Sequence, residues 1–158
     1  MERNDPQGLS LFNGAALDRL AAGRLLALNT LTEPYGLRLT PAQAGELVET
    51  RSRALRETGR LEIGGGILER LVRAFCDSPY LRQTGYAAAL HTLAELFYTF
   101  KNELPDTVGD EELLALMRDS FNGVCGGSLE LLAGRELERM ARNLRFGRAI
   151  NAADEEEE

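Results

Sequence analysis

The chain has no tryptophan, a single histidine, and 6% aromatic residues among its 158 positions. One histidine, His91, excludes any mechanism that needs two imidazoles. Two cysteines, Cys76 and Cys125, lie far apart and outside any CxxC spacing. A structural disulfide is therefore not expected. HxxxH and ExxH spacings are missing as well, so neither a metal site nor a cofactor is expected. No apolar run approaches the ~18 residues that cross a bilayer. The opening residues, MERNDPQGLSLF, lack a basic segment followed by an apolar stretch and a small-residue cleavage site, which makes the cytoplasm the expected location.

What the chain does have is a 44% hydrophobic share. At this length a globule buries roughly 70% of the surface its unfolded chain exposes, which suits one domain with a real core. The net charge is −7, but residues 154–158 (DEEEE) supply five of the negative charges. The remainder carries 18 basic and 20 acidic residues. So balanced a body lacks the basic field of a general nucleic-acid binder. Nucleic acid is not an expected partner. Of the basic residues, Lys101 is the one lysine and all others are arginine.

Periodicity predicts an all-α, single-domain bundle of about six helices. Its centre is the stretch 85–104, GYAAALHTLAELFYTFKNEL, where Tyr86, Leu90, Leu93, Phe97, Phe100 and Leu104 recur at steps of four and three. Alanines beside them widen the apolar face, so neighbours must cover most of this helix. Around it, a polar N-terminal arm is expected at 1–14, a helical domain at 15–146 and a disordered acidic tail at 147–158. The first helix is expected over 15–31, with Leu17, Leu20, Leu25 and Leu28 available for burial. Thr40, Pro41 and Gln43 form the clearest helix start, a capping-box pattern with proline at the first helical position. That helix should end at Gly59. Short apolar alternations at 37–39 and 61–63 flank it. An 18-residue helix is ~27 Å long, so they should not overlap, and at most an isolated β-bridge is expected. Further helices are expected from Gly64 to near Cys76, from Asp110 as a cap to Phe121, and from Ser128 onward. In the last, Leu129, Leu132, Ala133, Leu137, Met140, Ala141 and Leu144 hold inward spacing.

Two helix starts carry glycines, Gly64-Gly65-Gly66 and Gly126-Gly127-Ser128. Exposed amides at a helix start attract anions, so either turn is a candidate anion or ligand site; a tight turn explains the same glycines. Neither matches a Walker A loop or a dinucleotide fingerprint. Cys125 precedes the second turn, where a helix N-terminus can favour the thiolate; burial is the plainer alternative. His91, Glu95, Tyr98 and Asn102 share one strip of the central helix, either a polar cluster with chemical capacity or an ordinary rim with a His91–Glu95 pair. With Cys76, these residues form the candidate polar or reactive set. Arg135, Arg139 and Arg142 run along the last helix, interleaved with glutamates, and the acidic tail could fold back on them.

The phrases GRLEIGGG, FCDSPY, ELFYTFKNEL and CGGSLELLAGRELE resemble an uncharacterised bacterial family of short, helical, cytoplasmic proteins known as a domain of unknown function. The resemblance covers residues 34–142. It implies one domain and carries over no activity, cofactor or functional residue. Two functional expectations follow from the residues. One is a noncatalytic helical protein acting through protein contacts, as a homo-oligomer or accessory subunit. The other is a small-ligand sensor or enzyme with a site where the Gly64 turn, the Cys125 turn and the His91 strip meet.

Overall fold

The structure, a computed structural model, describes residues 6–60, 62, 66–105, 107–136, 139 and 142. These residues form an all-α fold with no strand or bridge among them. Helices follow in the expected order: α1 (Pro6–Ala27), α2 (Asn29–Thr32), α3 (Pro41–Thr58), α4 (Gly66–Phe75), α5 (Tyr86–Glu103), α6 (Asp110–Asn122) and α7 (Leu129–Leu131). The chain divides into two compact units, Met1–Glu95 and Leu96–Glu158, with the boundary inside α5.

In the first unit α1 packs on α3 and α4, and α3 packs on α4. Helix α1 begins at Pro6, earlier than the polar composition of residues 1–14 suggested. Proline suits the first helical position, where its missing N–H costs nothing. Leu25 and Leu28 are buried as expected, but Leu17 and Leu20 are 54% and 53% exposed. Apolar spacing alone does not distinguish the face that meets α3 from the one left exposed. Helix α3 starts as its sequence dictates. The Thr40 hydroxyl accepts from Gln43 N, and the Gln43 side chain accepts from Thr40 N. It ends on Gly59 at φ 69°, with Arg60 N donating to Leu55 O at 3.0 Å, the left-handed stop that glycine permits. Ala44, Leu47, Val48 and Leu55 are buried, and so is Arg51. On α4, Ile67, Leu68, Leu71, Val72 and Phe75 are all buried.

Leu37 and Leu39 are core residues without a sheet, because side-chain amides replace a neighbouring strand. Asn29 Nδ2 donates to Leu39 O and Asn29 Oδ1 accepts from Leu39 N, both at 2.9 Å. Gln83 does the same for Arg38, accepting from its N at 2.7 Å and donating to its O at 3.0 Å. Thr32 Oγ1 donates to Leu37 O at 2.7 Å. Buried backbone groups must be paired, and Asn29 and Thr32 pair those of Leu39 and Leu37, while Gln83 holds the exposed Arg38 between them. Of the second alternation, Leu61 and Ile63 lie outside the described residues.

Within α5, Tyr86, Leu90 and Leu93 are buried in the first unit and Phe97, Phe100 and Leu104 in the second, as the period requires. In the second unit α6 buries Leu113, Leu114, Met117 and Phe121. Its cap differs from expectation: Gly109 holds the N-cap position and Asp110 is the first helical residue. The Asp110 carboxylate is occupied by Lys101, whose Nζ lies 2.8 Å from Oδ1. After the turn at Gly123, α7 is only three residues long and passes into a π-turn, Leu132–Glu136, kinked at Gly134. Leu132 is buried and Ala133 is exposed, against expectation, since the kink ends the regular period. Leu137, Met140, Ala141, Leu144 and the acidic tail lie outside the described residues; Arg139 and Arg142 are exposed.

Candidate functional site

Of the first glycine turn, Gly64 and Gly65 lie outside the described residues. Gly66 opens α4 at φ 52°, and the space where its Cβ would stand is filled by the Glu62 carboxylate. That carboxylate accepts from Ile67 N at 3.4 Å and lies 3.8 Å from Arg51 Nε, a separation too long for a hydrogen bond but not for charge attraction. An acidic side chain thus already faces the start of α4. At the second turn, Gly126 and Gly127 have φ of 54° and 84°. Their amides and those of Cys125 and Ser128 donate to Gly123 O, Phe121 O, Ser120 O and Cys125 O respectively. The Ser128 hydroxyl accepts from Leu131 N at 3.2 Å. Those donors serve the turn itself.

His91 belongs to the first unit and reaches across to α3, where Thr50 Oγ1 stands 2.8 Å from its Nδ1. Glu95, one turn along, is exposed. Tyr98, in the second unit, is buried and meets Phe97 edge to face with centroids 5.3 Å apart. Three residues of the expected strip therefore differ in environment, a part-buried histidine with a hydroxyl partner, a solvated carboxylate and a core phenol, and the fourth, Asn102, is exposed.

Cys76 and Cys125 are buried thiols outside any disulfide, one in each unit. Burial, then the Asp77 carboxylate, pushes the Cys76 thiol up from its ordinary value, away from the thiolate needed for reaction. Ellman's reagent should react with neither thiol in the native protein and with both in denaturant, at rates differing by about a hundredfold or more. Rapid native labelling of either would show a reactive cysteine. Tyr86 is pushed up to about 12, first by burial and then by the negative charge of Cys76 as a thiolate. Because the unfolded phenol ionises near pH 10, the contribution of Tyr86 is complete below that pH and lost as pH rises toward 12, where the folded phenol also ionises. The expected loss is roughly 2–3 kcal/mol of unfolding free energy, readable by urea titrations at stepped pH. A flat profile between those values would place Tyr86 in contact with water.

A group of side chains that sequence reasoning did not assemble lines a cleft of about 470 Å³ in the first unit. Asp18 comes from α1, Ser52, Leu55 and Arg56 from α3, and Arg60 from the segment after Gly59. Ser52 Oγ donates to Asp18 Oδ1 at 3.2 Å, which ties the two helices together and orients the carboxylate. Nothing in the spacing of residues 34 positions apart signals this meeting. Among the described residues no group of three His, Cys, Asp or Glu side chains is placed to hold a metal ion. No described helix is long and apolar enough to cross a membrane.

A family of unknown function, DUF6323, matches residues 24–150, which is most of the chain. No curated protein and no solved structure matches it. The chain belongs to that family. The matched span begins within α1, after Leu17, Asp18 and Leu20.

Proposed function

We propose that this member of DUF6323 is a noncatalytic, cytoplasmic protein that works through protein contacts, beginning with a second copy of itself. The observation that carries this is the exposure of Leu17 and Leu20, one turn apart on α1, at more than half of their surface each. Leucine side chains left in water on one helix face cost hydrophobic free energy that association recovers. A two-fold related copy would present the same leucines to the same leucines, an isologous contact that needs no outside partner. Further support comes from the thiols, both buried, and from His91, whose Nδ1 is engaged by Thr50.

Size-exclusion chromatography with light scattering tests it. The wild-type chain should elute as an oligomer, and the pair Leu17→Glu with Leu20→Glu should convert it to monomer with an unchanged far-UV circular dichroism spectrum. A wild-type chain that stays monomeric to about 100 µM, where contacts of ordinary strength form, removes the proposal.

A further inference from the structure

We infer that the cleft of the first unit binds a small amino-carboxylate, a molecule carrying an ammonium and a carboxylate on a short carbon skeleton, such as a free amino acid. The inference does not depend on self-association. The volume of about 470 Å³ is within the range of small-molecule sites, about 300–1,000 Å³. Its charged groups are of both signs and come from different segments: the Asp18 carboxylate on α1, and the guanidinium groups of Arg56 at the end of α3 and Arg60 just beyond it.

That arrangement selects by charge. A simple anion would meet Asp18, and a simple cation would meet Arg56; a ligand bearing both charges complements both signs. The ammonium is assigned to Asp18, whose carboxylate is already oriented by the Ser52 hydroxyl. The carboxylate is assigned to Arg56, since a planar guanidinium matches it with two parallel hydrogen bonds. Leu55, an apolar residue of α3 in the cleft lining, supplies surface against which the ligand's carbon skeleton lies. Glu62 also lines the cleft, but its carboxylate faces Arg51 and the first turn of α4, so it does not set the ligand's charge. At Gly14 a Cβ would meet nothing within 4 Å, so the α1 side of the cleft is open at that position.

Isothermal titration calorimetry on the full chain, at constant ionic strength, would use glycine, L-leucine, L-glutamate, succinate and putrescine. At least one amino acid should bind saturably at one site per chain, with succinate and putrescine about tenfold weaker or worse. Asp18→Asn, which keeps the size of the side chain, and Arg56→Gln should each weaken that amino acid by about tenfold or more. Gly14→Trp should abolish binding by filling the cleft, and its thermal midpoint reports whether the fold survives. Saturable binding absent for all three amino acids up to about 10 mM overturns the inference. So does succinate or putrescine matching the best amino acid, or an Asp18→Asn variant that binds as tightly as the wild type.

Discussion

Glu62→Ala is expected to cost about 1–3 kcal/mol of unfolding free energy. Arg51 is the reason. Its side chain is 6% exposed in the middle of the buried face of α3, and Glu62, itself only 17% exposed, brings the opposite charge to 3.8 Å. The same carboxylate accepts from Ile67 N at the start of α4 and fills the space beside Gly66. Its removal leaves a guanidinium in a low-dielectric setting with its nearby carboxylate gone and, in the same step, takes an acceptor from the helix start. Removing the pair together is a different matter. Arg51→Met combined with Glu62→Leu should lie within about 1 kcal/mol of the wild type, because a buried ion pair adds little over apolar residues of similar volume. With no tryptophan to report, urea unfolding is followed by far-UV circular dichroism. A loss below about 1 kcal/mol for Glu62→Ala would mean that water screens Arg51 in the folded chain.

The elements that the sequence announced are those whose signals are local. Helix α3 is legible from Thr40, Pro41, Gln43 and Gly59 because cap, box and stop all act within four residues of the helix end. Helices α4 and α5 are legible because a helix buried on a broad face repeats its apolar residues whatever it packs against. The misses share the opposite property. Leu39 needs Asn29 and Arg38 needs Gln83, 10 and 45 positions away, and no spacing rule links a side-chain amide to a backbone it meets through folding. Leu17 and Leu20 satisfy the period as well as Leu25 does, yet only Leu25 faces the core. Of the candidate site, the glycines and cysteines were visible as residue types. Their roles were not, because the thiols' burial and the use of the turn amides are tertiary facts. The Asp18–Ser52 contact was invisible for the same reason.

Lys101→Met is expected to cost about 1–4 kcal/mol and to act on the second unit. The Lys101 ammonium donates to Val108 O at 2.6 Å and stands 2.8 Å from Asp110 Oδ1, with its side chain 13% exposed. It thereby closes the connection between α5 and α6, where Val108 is fully buried. Methionine keeps the stem and removes every donor. The Val108 carbonyl then lacks its charged partner, worth about 1–3 kcal/mol, and the Asp110 attraction adds less than about 1 kcal/mol because that carboxylate is 38% exposed. Lys101→Arg should recover only part of the loss. A guanidinium is a wide planar fork, whereas this site asks one compact charge to meet a carbonyl and a carboxylate at once. A second readout keeps the lysine in place. Lys101 is the one lysine in the chain, so the endoprotease Lys-C has a single site, inside α5. Cleavage there requires the helix to open, and Asp110→Asn should raise the cleavage rate about two- to fivefold by weakening the closure. Equal cleavage of wild type and Asp110→Asn, together with a Lys101→Met cost below about 1 kcal/mol, would show that Pro105 and the apolar contacts of α6 hold the connection without the ammonium.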